Sequence, residues 1–290
     1  MRSVEDIACV FPASLKEALE IQADEKRRGR ILAGGTDLMV QWESGLQPAP
    51  ERVVGILGVP ELRGIREEDD AIVVGAATTH WQLHTSALVR QFAPALAASA
   101  ATVGGVQIQS LGTIAGNVAN ASPAGDLAPA LLVTGGSVVV ASVAGERTIS
   151  LAQFFLGYRK IDLKPEELIV RFVLPKLPYG FREGFTKLGP RAAQAISKVM
   201  GAWRGKASAG VVESFAVALG SMAPTAVRLG DLEAWLPGKK INKKLLDEVE
   251  AKVTASLKPI DDIRSTAEYR GWVSGRLVRG FLEELAHVCG

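Results

Sequence analysis

Residues 113–126, with the sequence TIAGNVANASPAGD, constrain the fold of this chain more than any other stretch. Apart from Ile114 and Val118, the segment consists of small, polar or turn-forming residues. Such a run predicts neither a packed strand nor an ordinary amphipathic helix, because both need regularly spaced bulky apolar residues. We therefore expect a loop whose backbone comes very close to another group.

The glycines and asparagines in and beside this segment predict an unusual backbone. We expect Gly112, Gly116 and Gly125 to adopt positive φ angles and to keep Cβ atoms out of the contact surface. Asn117 and Asn120 tolerate left-handed conformations. Bare N–H groups beside hydroxyls would form a concave donor surface that suits phosphate. An ordinary glycine-rich surface turn is the alternative, since short motifs give false positives.

A second glycine-containing segment, residues 30–38, reads RILAGGTDL. Ile31 and Leu32 predict the end of a buried strand, after which Gly34 and Gly35 turn the chain. A strand that runs into such a turn again brings backbone N–H groups to phosphate. Two segments of this kind could hold the two phosphates of one pyrophosphate, which favours a dinucleotide ligand. Neither matches GxGxxG or the P-loop, so a Rossmann fold is not expected.

At these residues the sequence resembles the FAD-binding subunit of the molybdenum hydroxylases, the family that includes xanthine dehydrogenase and the medium subunit of carbon monoxide dehydrogenase. The motifs that carry the resemblance are AGGTDL, GTIAGN, SPAGD, FFLGYRK, KPEELI, KLGPRAAQAISKV and DDIRSTAEYR. Each motif alone is short, but together they follow one order over nearly the whole chain.

The resemblance implies a set of residues that bind FAD. It places the pyrophosphate at residues 32–37 and 113–117, and the flavin or its ribityl chain at Val103 and Gly104. The implied FAD-binding residues are Leu32, Ala33, Gly34, Gly35, Thr36, Asp37, Val103, Gly104, Thr113, Ile114, Gly116, Asn117, Asp126, Ile169 and Lys187. We expect non-covalent FAD, because neither binding segment contains a His, Cys or Tyr for covalent attachment.

Three of these residues have more specific implied roles. By the resemblance, Asp126 accepts hydrogen bonds from cofactor hydroxyls and Ile169 packs on the adenine side. Lys187 reaches the pyrimidine edge of the flavin or the ribityl chain, where a positive charge stabilises the reduced anionic flavin. The alternatives are an acid at a helix N-terminus, a core strand residue and a solvated lysine, respectively.

The sequence predicts an α+β fold. The resemblance implies a two-subdomain FAD-binding fold of the vanillyl-alcohol-oxidase/PCMH type in residues 1–176, with subdomains of about 1–57 and 58–176. The prolines of stretch 175–180 stop a strand and mark the domain boundary. Residues 180–290 then form a C-terminal domain with an antiparallel sheet and helices.

Local patterns predict several individual elements. A capping box at Ser14 starts a helix that runs to about Arg28. The alternation in residues 211–220 predicts a strand, and residues 266–287 predict a helix. The expected core face of that helix consists of Tyr269, Val273, Leu277 and Phe281.

Composition and charge exclude several classes of function. The net charge of +2 gives no argument for nucleic acid or an anionic membrane. No apolar run approaches the ~20 residues that span a bilayer. The N-terminus carries acidic residues early and has no long apolar region, so we expect no signal peptide and a cytoplasmic protein. The chain has 290 residues, enough for two domains.

Metal-binding residues are not evident in the sequence. Cys9 and Cys289 cannot hold an iron–sulfur cluster, which needs about four thiolates. We expect small buried or terminal thiols that form no disulfide. His80 and His84 have the i, i+4 spacing of zinc helices, but Trp81 between them favours packing and no third ligand is near.

The missing metal sites imply partner chains. By the resemblance, a large molybdopterin subunit and a small iron–sulfur subunit complete a heterotrimeric oxidoreductase. Electrons would pass from the partner clusters through the FAD of this chain to an external acceptor such as NAD. Two alternatives stay open: a stand-alone FAD reductase of the same fold, and an assembly subunit without flavin.

Overall fold

The computed structural model describes residues 4–288, which form an α+β fold. The strands are Ala8–Val10 (β1), Arg30–Leu32 (β2), Arg52–Gly55 (β3), Ile65–Glu67 (β4), Ala71–Gly75 (β5), Ser137–Ser142 (β6), Gly145–Ser150 (β7), Phe155–Gly157 (β8), Lys160–Ile161 (β9), Leu168–Pro175 (β10), Arg182–Leu188 (β11), Val199–Ser208 (β12), Val211–Gly220 (β13) and Val227–Arg228 (β14). The α-helices are Leu15–Ala23 (α1), Leu38–Glu43 (α2), His80–Thr85 (α3), Ala87–Phe92 (α4), Pro94–Ala101 (α5), Val106–Leu111 (α6), Ile114–Asn120 (α7), Leu127–Thr134 (α8), Leu151–Phe154 (α9), Gly230–Trp235 (α10), Lys243–Ser256 (α11) and Ala267–Val288 (α12).

The first sheet is parallel and has the strand order β1-β3-β2. Helix α1 begins after Ser14, whose hydroxyl accepts a hydrogen bond from the Glu17 N–H. It ends at Ala23, earlier than the predicted Arg28, because the chain turns at Asp24, whose carbonyl accepts the Arg27 N–H. The unit β2-α2-β3 delivers the double-glycine turn to the carboxyl edge of this sheet.

The second sheet is antiparallel and has the order β4-β5-β10-β6-β7. Its central strand β10 is buried over Leu168, Ile169 and Val170, as expected for a strand covered on both faces. Phe154 and Phe172 are fully buried in the core beside this sheet.

The third sheet, with the order β11-β12-β13-β14, is antiparallel and carries helices on both faces. Adjacent residues of a strand point to opposite faces. On β12, Trp203 packs near Phe281 of α12, whereas Arg204 donates a hydrogen bond to the carbonyl of Thr134 at the end of α8. Helix α8 therefore lies on the face opposite α12, and every one of its residues is buried.

The predicted α+β class and the C-terminal antiparallel sheet are confirmed, and the predicted strand at 211–220 has those bounds. The division into domains at 175–180 stays a prediction. None of the helices within residues 4–288 is long and apolar enough to cross a membrane.

Three local expectations were wrong. Part of segment 113–126 is helical, because α7 runs from Ile114 to Asn120. Tyr269 is 40% exposed, since it lies in the first turn of α12, where its ring faces the Lys198 ammonium at 5.4 Å instead of the core. Cys9 is exposed, because β1 is an edge strand of the first sheet. The expectation for Cys289 lies outside the described residues.

Candidate functional site

The two glycine-containing segments meet at Gly34. An ideal Cβ on Gly34 would lie 1.8 Å from the carbonyl oxygen of Leu111 and 2.9 Å from the nitrogen of Gly112. Both neighbours are backbone atoms that cannot rotate away, so only glycine fits. Gly34 and Leu111, which are 77 positions apart in the chain (111 minus 34), therefore contribute to one site.

The turn after β2 offers open backbone donors. Gly35 has a φ of 70°, a conformation that favours glycine. Within residues 4–288, the N–H groups of residues 34–37 donate to no backbone or side-chain acceptor. Successive open N–H groups in a turn form a concavity that binds anions. The turn at residues 34–37 thus has the donors that a phosphate needs.

The segment that begins at Thr113 differs from its prediction. The N–H groups of Ile114 and Ala115 donate to the carbonyls of Thr78 and Ala76, at 2.9 and 3.2 Å. The N–H of Gly116 donates to the Thr113 hydroxyl at 3.0 Å. The expected bare donor surface is absent from the first turn of α7, because tertiary contacts and the N-cap already use these groups.

The backbone conformations predicted for this segment were also wrong. The positive-φ residues within 4–288 do not include Gly112, Gly116 or Gly125. The left-handed residue is Ala121, with φ of 44°, which ends helix α7. Gly112 is needed for close approach instead, since its Cβ would lie 3.0 Å from the His80 ring. Gly116 is exposed and Asn117 half-buried, so this side of α7 is open to a ligand.

The turn at Val103 and Gly104 lies before α6. Gly104 has φ of 56°, and its Cβ would lie 2.8 Å from the Ile108 side chain. Helix α6 then reverses the usual arrangement of side chains: Gln109 is buried and donates to the carbonyl of Ala101, whereas Leu111 is 50% exposed. The apolar side of α6, the helix that joins the 103–104 turn to the segment beginning at Thr113, thus faces outward.

Asp126 and Lys187 form a buried ion pair. The Lys187 Nζ lies 2.6 Å from Asp126 Oδ2 and donates to the carbonyl of Thr102 at 3.0 Å. The Ser197 hydroxyl donates to Asp126 Oδ1 at 2.8 Å. Burial raises the pKa of the Asp126 carboxyl, and the charge of Lys187 and the hydrogen bonds from Lys187 and Ser197 oppose that rise. Lys187 is therefore not the solvated lysine of the alternative interpretation.

Ile169 is a core residue of β10. It is 6% exposed, pairs with Val140 of β6 and belongs to the main hydrophobic cluster. The neighbouring Val170 carbonyl accepts the N–H of Ala76, next to the residues that hold the start of α7. Its expected contact with adenine stays a prediction.

His80 lies beside the site, a position that the sequence did not predict, although packing was favoured for this residue. The Thr79 hydroxyl and the Gln82 side chain form a capping box that starts α3 at His80. His80 is 3% exposed, and its ring packs against Gly112. Its backbone N–H donates to the Gly112 carbonyl, whereas the ring atom Nδ1 has no hydrogen-bond partner in the described part of the chain. The capping box was the available signal, because it fixes His80 in a first helical turn.

The described residues contain no group of three or more His, Cys, Asp or Glu side chains placed to hold a metal ion. The open N–H groups of residues 34–37 and the backbone cradle that a Gly34 Cβ would fill are instead suited to the phosphates of a dinucleotide. The residues present therefore fit FAD, whose pyrophosphate needs such donors. The fold and this site define a dinucleotide-binding protein of an α+β class.

Comparison with known proteins identifies the family. Residues 4–177 match the FAD binding domain in molybdopterin dehydrogenase, and residues 185–285 match the CO dehydrogenase flavoprotein C-terminal domain. The chain belongs to this family: it is an FAD-binding subunit of the molybdenum hydroxylases of the carbon monoxide and xanthine dehydrogenase type. It is thus an oxidoreductase subunit whose cofactor is FAD, as the sequence resemblance predicted.

Individual relatives span nearly the whole chain. The carbon monoxide dehydrogenase medium chain of Hydrogenophaga pseudoflava is 29% identical, over 92% of this chain and 93% of the relative. The 6-hydroxypseudooxynicotine dehydrogenase complex subunit alpha of Paenarthrobacter nicotinovorans is 30% identical, over 96% and 94%. The solved quinoline 2-oxidoreductase of Pseudomonas putida 86 superposes with a TM-score of 0.91 at 26% identity, covering 98% of both chains.

Proposed function

We propose that this chain carries FAD as the electron-transfer subunit of a multi-subunit molybdenum hydroxylase. It receives electrons from iron–sulfur clusters on a small partner subunit and passes them to an external acceptor such as NAD. A large partner subunit holds the molybdopterin and oxidises the organic substrate. The expected cytoplasmic location stays a prediction.

One observation carries the proposal: the open turn at residues 34–37 lies directly against the backbone of Leu111 and Gly112. The N–H donors of this turn have no acceptor among the described residues, and the contact of Gly34 with Gly112 brings the start of α7 beside them. Such an arrangement binds a pyrophosphate through backbone groups alone. It requires no charged side chain in the cradle.

The residues of this chain bind and orient the cofactor. Bound FAD supplies the one-electron and two-electron redox chemistry. The N–H groups of residues 34–37 would hold the phosphates, and the turn at Val103 and Gly104 would lie toward the flavin end. Lys187, which is paired with Asp126, donates a hydrogen bond to the carbonyl of Thr102, the residue directly before that turn. By this assignment, Ile169 lies on the adenine side.

The partners are supported by the names of the relatives. One relative is the medium chain of a carbon monoxide dehydrogenase, and another is the FAD-binding subunit of a xanthine dehydrogenase. A third is the alpha subunit of a 6-hydroxypseudooxynicotine dehydrogenase complex. Each name designates one chain of a larger enzyme. We extend this organisation to the present protein.

Titration with FAD tests the cofactor assignment. The purified chain should be yellow or bind added FAD with quenching of flavin fluorescence, and acid precipitation should release all the flavin into the supernatant. A yellow pellet after denaturation contradicts non-covalent binding. A folded, colourless chain that takes up no FAD, alone or with its partners, supports the assembly subunit without flavin.

Co-purification tests the partners and the acceptor. A tagged chain expressed in its native host should retain a large molybdenum-containing chain and a small iron–sulfur chain. The isolated assembly, reduced by its organic substrate, is then mixed with NAD, oxygen or a quinone analogue, and flavin reoxidation is followed. A single chain that turns over a substrate without partners indicates the stand-alone FAD reductase instead.

A further inference from the structure

Helix α8 is held at both ends by side chains from the C-terminal sheet. At its start, Lys187 of β11 and Ser197 bind the two carboxylate oxygens of Asp126. At its end, Arg204 of β12 donates to the carbonyl of Thr134 at 3.0 Å, and Arg228 of β14 donates to that of Leu132 at 3.1 Å. Cationic donors suit the free carbonyls at a helix C-terminus. The C-terminal sheet thus fixes the position of α8.

The Lys187 ammonium also joins two segments of the site. Besides Asp126 it binds the carbonyl of Thr102, which directly precedes the turn at Val103 and Gly104. Asp126 closes the segment that begins at Thr113. The Lys187 side chain, which belongs to β11, therefore sets the distance between the 103–104 turn and the 113–126 segment.

The burial and the hydrogen bonds of Lys187 determine whether its charge can act on a third group. The side chains of Lys187 and Asp126 are 11% and 9% exposed, so solvent screens this pair little. Both carboxylate oxygens have a donor, and the ammonium has two acceptors. A lysine whose charge is compensated by a carboxylate at 2.6 Å contributes little net field to a third group.

We propose that Lys187 is a positioning residue, which holds the 103–104 turn and the 113–126 segment at the spacing that FAD requires. It acts through Thr102 and Asp126, and its charge does not tune the flavin. This inference rests on the proposed function for its cofactor, but the spacing of the two segments is a property of the free chain. It replaces the role in flavin tuning that the sequence resemblance implied.

The first test uses the flavin-free full chain. Lys187→Met leaves the Asp126 carboxylate buried without a cation, which is more destabilising than removing both charges. We expect Lys187→Met to lower the thermal unfolding midpoint and the double variant Asp126→Asn/Lys187→Met to recover at least half of that loss. Lys206→Met and Glu213→Gln, which break a half-exposed pair across β12 and β13, serve as the matched control and should have additive, small effects.

Hydrogen exchange separates positioning from general stabilisation. In the flavin-free chain under native conditions, Lys187→Met should speed amide exchange within residues 102–105 and 113–126, whereas Lys206→Met should not. Exchange that rises equally throughout the third sheet, or that stays unchanged in both segments, overturns the proposal. These readouts hold even if the chain never binds FAD, so failure of the proposed function is recognised separately, by the wild-type titration.

The last test separates position from charge in the FAD-loaded protein. Loss of a charged hydrogen bond predicts that Lys187→Met weakens FAD binding by about 10- to 100-fold, with partial recovery in the double variant. The midpoint potential of the FAD that still binds should equal that of wild type in a spectroelectrochemical titration. A lowered potential with normal FAD affinity overturns positioning and restores the role in flavin tuning.

Discussion

The two glycine-containing segments of the site differ in whether their backbone N–H groups remain available to bind a ligand. The N–H groups of residues 34–37 donate to no acceptor within residues 4–288, whereas those in the first turn of α7 donate to Thr78, Ala76 and the Thr113 hydroxyl. Both segments contain glycines and hydroxyl residues, and both suggested a phosphate cradle from sequence. Only the first segment has N–H groups that are open to a ligand. The N–H groups at the start of the second are already used, and the backbone just before it packs against Gly34.

This difference shows why glycine has two uses in one site. Gly35 supplies a positive φ that turns the chain and opens the amides. Gly112 has ordinary φ and instead leaves room for the His80 ring. Residues 112–116 therefore support the open turn, and the comparison makes separate predictions for the donors and for their support.

The largest effect is expected at the contact between the segments. Gly34→Ala places a methyl group where only 1.8 Å separates it from the Leu111 oxygen, so the backbone must move apart. We expect loss of FAD binding and a cost in unfolding free energy of about 3 kcal/mol or more, the upper range for overpacking. Urea unfolding and FAD titration measure the two effects.

Gly58→Ala is the matched control for this change. Within residues 4–288 its Cβ would meet no atom within 4 Å apart from its two chain neighbours, and its φ is not positive, so the variant should resemble wild type. If Gly34→Ala retains wild-type stability and FAD affinity, the two segments do not meet as described.

The second effect concerns the closed segment and its pH dependence. Burial lowers the pKa of His80 to about 4, whereas an unfolded histidine titrates near 6.5. Between these values the unfolded chain binds a proton that the folded chain excludes. Stability is thus intact above pH 6.5 and falls as the pH drops toward 4, by about 3 kcal/mol.

Chemical denaturation of the flavin-free chain at pH 7 and pH 4.5 measures this dependence. His80→Gln should lose about 2 kcal/mol less than wild type between the two pH values, since it removes the buried titrating group. The control is His84→Gln, on the same helix but half-buried. An equal pH dependence in wild type and His80→Gln means that the ring is not held neutral against Gly112.

The third effect tests whether the exposed side of α7 contacts the cofactor. Gly116→Val should weaken FAD binding by at least about tenfold, because an exposed glycine of α7 becomes a branched side chain on the side that is open to a ligand. Folding should survive, at a cost of about 1 kcal/mol, since the new Cβ would lie 3.0 Å from the capping hydroxyl of Thr113.

Ala119→Val introduces the same branched side chain at another exposed position of α7. Its FAD affinity should match wild type. Equal affinities in the Gly116 and Ala119 variants would remove α7 from the cofactor site, although the turn at residues 34–37 could still hold the phosphates.

The smallest effect is at the cap of α7. Thr113→Ala removes the hydroxyl that accepts the Gly116 N–H, at a cost of about 1 kcal/mol. Thr113→Ser keeps that acceptor and should recover most of the loss in urea unfolding. If alanine and serine give the same stability, the cap does not close the donors of this turn, and the contrast between the two segments is weaker than described.

The site is only partly predictable from local sequence. The turn at Gly34 and Gly35 follows from a strand that runs into two glycines, and it lies where that pattern predicts. The helix α7 does not follow from local sequence, because its first N–H groups are satisfied by Ala76 and Thr78, far earlier in the chain. Its few bulky apolar residues, Ile114 and Val118, are buried by other elements, which compensates for its weak periodicity.

The sequence by itself determined the α+β class, the family, the FAD cofactor and the position of the double-glycine turn, because these depend on short motifs and local propensity. Tertiary structure decided which amides stay open, and it set Lys187 on Asp126 across 61 positions of sequence. It also buried His80 against Gly112. The physical reason is that donor availability and charge compensation depend on which distant groups pack together, and neither periodicity nor motif spacing encodes that pairing.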